Sequence, residues 1–285
     1  MRKAGRGASA GMDPKYKEEG MHHGSAVPWA LTIALAFLTC ASIKAETVKQ
    51  VIELRTYHFA SPEKQSAFEQ FLKGVAIPAL NRAGVRPVGV FRMLKADNPD
   101  LGLEADSTDL LVLLPFPDVA TALSLPGVLD MDKEYQDAGQ SILRSTKEDP
   151  AYTRYESSLL LSFDGIPTIE VPGLADTRIL QLRIYESHNA DRALRKIEMF
   201  NTGGELALFR EVGMDPVFFG QAIAGGKLPN LTYMLSFKDD DSRKAAWDKF
   251  MKHPAWIKMK DDPKYKDTVS AITNIFLRPA QGSQI

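Results

Sequence analysis

The stretch VIELRTYHFASPEK, Val51 to Lys64, returns later in the chain as ILQLRIYESHNADR, Ile179 to Arg192. Aligning Leu54-Arg55-Thr56-Tyr57 with Leu182-Arg183-Ile184-Tyr185 sets the two copies 128 residues apart (Arg55 to Arg183). A second anchor, Gly84-Val85-Arg86-Pro87-Val88 against Gly213-Met214-Asp215-Pro216-Val217, gives 129 (Pro87 to Pro216). Two anchors in the same order at nearly the same spacing indicate an internal duplication. The repeating unit is a whole domain, because solenoid repeats have periods of roughly 20 to 50 residues.

Working outward from Val51, residues 51–59 alternate and are rich in β-formers, which predicts a strand. Ser61-Pro62-Glu63 then supplies an N-cap, a proline at the first helical position and an early acid, so a helix begins there. Phe68, Phe71, Leu72 and Val75 recur at i, i+3, i+4 and i+7, one face of that helix. Gly84 stops it ahead of a strand from Pro87 to Leu94. A third strand follows at Asp109–Leu114, then helical sequence from Asp118 to Thr146 broken near Pro126-Gly127, then a fourth strand at Tyr155–Phe163. The second copy repeats this order: strand 179–186, helix from Asn189, strands 216–223 and 231–237 around Gly225-Gly226, helices from Asp241 to Val269, and strand 272–278.

Each half therefore has the order β-α-β-β-α-β, the ferredoxin-like arrangement, and the fold class is α+β. Such an antiparallel sheet carries its helices on one face and leaves the other bare, and a second copy in the same chain is the natural cover. The expectation is an α+β barrel built within one polypeptide from two sheets packed face to face. Its parts are an N-terminal extension with a signal peptide (1–45), the first ferredoxin-like domain (46–163), a linker with two prolines and two glycines (164–173), and the second ferredoxin-like domain (174–285).

Alternation also divides each strand between two faces. In the first strand Ile52, Leu54 and Thr56 oppose Glu53, Arg55 and Tyr57; in its copy Leu180, Leu182 and Ile184 oppose Gln181, Arg183 and Tyr185. Placing the aliphatic faces under the helices turns the polar ones inward. The barrel interior would then hold two arginines, a carboxylate and two phenols around a pseudo-twofold axis. Such a set serves either as internal glue, since buried charges must be paired, or as a pocket for a small, partly apolar and partly anionic ligand whose oxygens meet the guanidinium groups.

The chain has 285 residues, 44% hydrophobic and 25% charged, with a formal net charge of -1, the profile of a soluble globular protein. Near-neutral charge without a Lys/Arg-rich run argues against nucleic-acid and anionic-membrane partners. The N-terminus reads differently. Trp29 to Ala41 is uncharged and shorter than the roughly 20 residues of a membrane span, which suits a signal peptide with cleavage after Ala45 and a mature start at Glu46. Translation from Met21 would shorten the long polar segment ahead of it. A retained anchor, or a lipoprotein signal at Cys40, is the alternative. Cys40 is the sole cysteine, so the mature chain would have no disulfide, thiolate nucleophile or cysteine-ligated metal.

Three histidines lie beyond the signal. His58 and His188 trail the first strand of each half at non-equivalent positions, and solvated or locally bonded roles suit them better than ligation. His253, in KHPAWIKM, marks a turn between helices with a packed indole, and the segment Trp247–Met259 has core spacing. Nucleophile-elbow, zincin, P-loop and dinucleotide motifs are missing, and Asp239-Asp240-Asp241 reads as a loop ending in an N-cap. Neither a cofactor nor a metal site is read from the sequence.

The opening E-L-R-T-Y (Glu53–Tyr57), the F-x-x-F of the first helix (Phe68, Phe71), the strand entry Gly84–Phe91 and the second copy from Leu182 resemble the NIPSNAP family of the dimeric α+β barrel superfamily, over about Val51 to Pro279. The resemblance implies paired ferredoxin-like domains. Its eukaryotic members are mitochondrial proteins associated with vesicle traffic and mitophagy signalling, and it carries over no catalytic residue set. The sequence thus favours an exported, non-catalytic binding or interaction protein whose partner is an unknown small molecule or protein. Its ligand-binding candidates are Glu53, Arg55, Tyr57, His58, Gln181, Arg183 and Tyr185. The alternative, resting on superfamily analogy, is a cofactor-independent monooxygenase-like or haem-binding enzyme.

Overall fold

The computed structural model describes residues 48–173 and 177–285. The predicted signal segment, its cleavage point and the start of the second predicted domain (residues 174–176) lie outside the described residues. Strand β1 (Val51–His58) is central in the first half, paired antiparallel with β3 (Leu110–Phe116) on one side and β4 (Arg154–Ser162) on the other. Its copy β5 (Ile179–Glu186) is likewise flanked by β7 (Asn230–Phe237) and β8 (Ala271–Pro279). Adding β2 (Gly89–Arg92) beside β3 and β6 (Asp215–Ala224) beside β7 gives the same four-stranded order in both halves.

The two sheets form the α+β barrel within one chain that the duplication predicts. They are joined edge to edge into one closed eight-stranded barrel in the order β1-β3-β2-β8-β5-β7-β6-β4. Each half has two open edges, and unpaired edge groups are costly to leave. The β2–β8 seam aligns Phe91 with Pro279 and Arg92 with Arg278, and the β4–β6 seam runs from Leu159 to Ser162 opposite Ala224 to Gly220. After β8 the chain continues along β2, where Val88, Val90, Ser283 and Gln284 exchange hydrogen bonds. The linker lies against the barrel as well: Gln50 bonds to Pro167 and Ile169, and Arg210 grips Glu170 with two contacts of 2.8 Å.

The barrel interior holds one shared apolar cluster in which Ile52, Leu54, Leu113 and Phe91 of the first half meet Leu180, Leu182, Phe218 and Leu277 of the second. This inverts the facing expected from alternation. Glu53, Arg55, Tyr57, Gln181, Arg183 and Tyr185 point outward, beneath the helices. Charged groups placed deep in a closed eight-stranded barrel would lose water without gaining enough partners. Both faces of β1 and β5 are buried, so alternation separates the two sets without saying which is the inner one.

The helices follow their caps. Ser61 accepts from the Lys64 backbone to start α1 (Pro62–Phe71), and Asn189 accepts from Arg192 to start α6 (Ala190–Phe200) at the equivalent place. Beyond α1 the chain widens into a π-helical turn, Leu72–Ala76, then resumes as α2 (Ile77–Arg82). Pro78 has no N–H and crowds the preceding turn, and the Ile77 N–H reaches back five residues to Leu72. In the second half that segment is broken at Gly204 before α7 (Glu205–Glu211), and the extra residue that changes the repeat offset from 128 to 129 falls between these caps and the next anchor. Gly84 and Gly213 end both helical segments at φ +82° and +88°, a conformation that favours glycine.

The break expected at Pro126 does not occur. Helix α3 (Val119–Met131) runs through it because this side of the helix is exposed and water can take the carbonyl that proline leaves unpaired. The interruption comes at Asp132, whose carboxylate caps α4 (Lys133–Ala138), followed by α5 (Gln140–Leu143). In the second half α8 (Asp240–Lys252) and α9 (Pro254–Lys260) flank His253, which caps α9, and Trp247 and Trp256 pack against Phe250. Asp239 is the N-cap of α8, accepting from Ser242. No helix among the described residues is long and apolar enough to cross a membrane.

Since both halves share the inner cluster, Leu182→Ala should cost about 2–5 kcal/mol. It should lower the midpoint of a single denaturant transition that fluorescence and circular dichroism report together. Two separated transitions would contradict a shared core.

Candidate functional site

Beneath the helices of the first half, three residues of β1 form a hydrogen-bonded chain. The Arg55 guanidinium donates from Nε and Nη2 to the two oxygens of Glu53 at 2.7 and 2.8 Å, and from Nη1 to the Tyr57 hydroxyl at 3.3 Å. Ser157 of β4 donates to Glu53 at 2.7 Å and completes its shell. Burial works against the charged guanidinium, but hydrogen bonding to Glu53, aided by Tyr57, outweighs it and raises the Arg55 pKa. Burial raises the Tyr57 phenol above its ordinary value against the pull of Arg55.

Above this chain is a cavity of about 220 Å³ that opens to solvent. Arg55, Tyr57, Val112 and Leu114 form its sheet side. Phe68, Phe71, Leu72 and Ala76 cover it, the last two from the π-helical turn. Leu129, Tyr135, Ile142 and Tyr152 close the flank. Tyr57 sits 4.8 Å from Phe68 and 5.2 Å from Tyr152 by ring centroids, so the aromatic wall is continuous. The hydroxyls of Tyr135 and Tyr152 have no hydrogen-bond partner among the described residues. Burial, with smaller contributions from Tyr57 and Tyr152 and against Arg55, pushes the Tyr135 phenol up to about 12.

The equivalent space in the second half is filled. Strand register places Val90 and Val112 side by side in the first half, and at the matching positions Phe219 and Tyr233 stack at 4.5 Å with their planes 3° apart. Lys196, as far from its N-cap as Phe68 is from Ser61, makes a 2.7 Å ion pair with Glu205, with side-chain exposures of 5% and 2%. Burial raises the Glu205 pKa against the attraction of Lys196 and then Arg183. Gln181 replaces Glu53 and bridges Trp247 and Asn274, both at 2.7 Å. Arg183, with no acid beside it on the strand, lies over the rings of Trp247 (4.8 Å) and Tyr185 (5.0 Å), and its Nε has no hydrogen-bond partner among the described residues. Tyr185 accepts from Tyr233 at 3.0 Å.

The candidate residues thus fall into three places. Glu53, Arg55 and Tyr57 meet at the cavity; Gln181, Arg183 and Tyr185 meet in the filled equivalent; the two arginines do not face a common interior. His58 points the other way, toward one mouth of the barrel, where its Nδ1 is 2.9 Å from Asp109 and its Nε2 is 3.6 Å from Glu156. His188 is exposed. No group of three or more potential metal-ligating side chains occurs among the described residues. Sequence reading missed Tyr135, which sits in the polar run Lys-Glu-Tyr-Gln-Asp, and Tyr152, in the loop before β4. It also missed the Val90/Val112 against Phe219/Tyr233 contrast, which carrying the repeat alignment through the inner strands would have exposed.

Residues 180–284 match the model of the NIPSNAP family. Among curated proteins none matches the chain in sequence. A provisionally assigned monooxygenase from Fusobacterium nucleatum superposes with a TM-score of 0.55 at 10% identity, covering 83% of this chain and 94% of that one. A similarly assigned protein from Lactobacillus acidophilus gives 0.55 at 12%, covering 81% and 94%. A NIPSNAP-like domain protein from Burkholderia xenovorans has 18% identity over 39% of this chain and 91% of its own, with a TM-score of 0.35. At these identities the first two likenesses show the fold, a dimeric α+β barrel, and nothing of the chemistry.

A raised phenol pKa means that the unfolded chain ionises first. The stability held below pH 10 should therefore fall as the pH rises from 10 toward 12, the value reached by Tyr135. Denaturant titrations across this range should show the fall, and Tyr135→Phe should flatten it.

Proposed function

We propose that the protein is a binding protein that takes one small, largely apolar molecule per chain in the cavity of its first half. The observation that carries this reading is the contrast between the halves: the same fold position is open and ringed by phenols in one copy and plugged by a Phe–Tyr stack and an ion pair in the other. The volume lies below the roughly 300–1,000 Å³ typical of drug-sized sites, which selects a compact, one- or two-ring ligand. Tyr135 and Tyr152 offer donors, which calls for an oxygen acceptor on the ligand. Arg55 is already neutralised by Glu53, and an anion would add a second negative charge beside that carboxylate, so a neutral carbonyl compound suits the site better than a carboxylate or phosphate. Among the described residues no histidine lines the cavity, which leaves a haem ligand without an axial partner from them there. We also propose that the chain is exported and begins at Glu46, on the strength of the uncharged run from Trp29 to Ala41 and the small Ala45.

Acetophenone, a single-ring aromatic ketone, is the test ligand. It should bind with a stoichiometry of one, and Val112→Tyr, which writes the second half's residue into the first, should weaken it by about tenfold or more, equivalent to about 1.4 kcal/mol. Binding of two molecules, or binding unchanged in a folded Val112→Tyr variant, would contradict the reading. N-terminal sequencing of protein recovered outside the cytoplasm of its host should begin at Glu46.

A further inference from the structure

A second cavity, of about 320 Å³, opens at the barrel mouth formed by the end of β1 and the starts of β4 and β7. It is separate from the first cavity: it lies inside the barrel and draws on both halves. Its depth is apolar, with Leu54 and Leu111 of the first half facing Leu182 and Ile184 of the second. The opposite end of the barrel is closed by large side chains, among them Phe91, Phe218 and Ile285. At the open end the inward positions carry small ones, Thr56, Ser158 and Thr232, and the space between them is what remains.

The rim is polar and electrically lopsided. Asp109 and Glu156 stand on the first-half side, and strand register makes their second-half equivalents Asn230 and Thr273, both neutral. One oxygen of Asp109 takes the His58 ring and the other has no hydrogen-bond partner among the described residues. Glu156 has the His58 ring and the Arg154 guanidinium near it, at 3.6 Å each, but no hydrogen-bond partner among the described residues. Lys227 on the second-half side is engaged elsewhere, bonding Thr273 at 2.7 Å with Glu186 at 3.6 Å. The turn that carries it is built with care: Lys227 holds a left-handed φ of 60°, and Asn230 braces it by donating to the carbonyls of Gly226 and Lys227.

We infer that this mouth is a binding site for a small organic cation, a primary ammonium on a compact apolar body. The ammonium meets the open acceptors of Asp109 and Glu156, and the body lies on the leucine and isoleucine floor. An anion is disfavoured because the rim presents two carboxylates with unfilled acceptors while its lysine is occupied. The site stands independently of the ketone-binding cavity.

Benzylamine, benzyl alcohol and benzoate, one ring with three head groups, test this by calorimetry and by chemical-shift mapping. Benzylamine should bind, with shifts at Thr56, Ile184 and Thr232, and both other compounds should bind at least about tenfold more weakly, the scale of a lost charge-assisted hydrogen bond. The Asp109→Asn/Glu156→Gln variant should lose benzylamine by about tenfold to a hundredfold. If that variant does not fold, Lys227→Met, which removes a competing positive charge, should tighten benzylamine binding. Val112→Tyr should leave it unchanged. Equal binding of amine and alcohol, insensitivity to the rim variants, or loss of benzylamine in Val112→Tyr would each overturn the assignment.

Discussion

The dry interior of the barrel is the constraint from which the rest of the arrangement follows. Closing the two sheets at the β2–β8 and β4–β6 seams pairs their edges, and it also encloses a deep apolar interior that opens only at one mouth of the barrel. Only side chains without hydrogen-bonding demands fit there at low cost, so the deep inner positions of β1 and β5, Ile52, Leu54, Leu180 and Leu182, are aliphatic, while Arg55 and Arg183 are sent outward. Outward here still means buried, because helices cover that face. The arginines therefore lie in a layer where partners can be supplied from the sheet and from the helices, and where a cavity can be left or filled without opening the barrel.

The two copies use that freedom differently. In the first, Glu53 neutralises Arg55 within the strand itself, and no further counter-charge is needed above it. In the second, Gln181 has taken the place of the acid, and the positive charge of Arg183 is accommodated by aromatic faces and the nearby Lys196–Glu205 pair. Once that position depends on rings and an ion pair packed around it, the space cannot be emptied without stranding a charge. The substitution at one strand position and the filling of the layer above it are thus parts of one change.

Much of this architecture is legible in the sequence. The repeated L-R-x-Y segment, the caps at Ser61 and Asn189 and the glycines at 84 and 213 specify the order of elements and the pairing of the copies, because caps, turns and alternation are local properties. The inward face of the strands is not legible, since Ile52 and Tyr57 are both buried and period two is symmetric between the faces. Nor is the cavity: it is lined by the small Val112, where the second copy has Tyr233, and by a wall that includes Tyr135 and Tyr152, residues brought together from well-separated parts of the chain. Pro126 misleads for a related reason, because its effect on a helix depends on whether water can reach the carbonyl it leaves free.

An unfilled space has a consequence of its own. At about 24 cal/mol per Å³, a dry void of 220 Å³ would cost about 5 kcal/mol, comparable with the whole stability of a modest domain, and water admitted through the mouth lowers that figure. Two such spaces in one barrel would weigh on the same shared core. The filled second half removes one of them while keeping the interior cluster that both halves need. On this argument the duplication divides the labour in the layer beneath the helices: one copy fills it with packing, and the other can leave it open because it is fastened along two seams to a partner whose layer is filled.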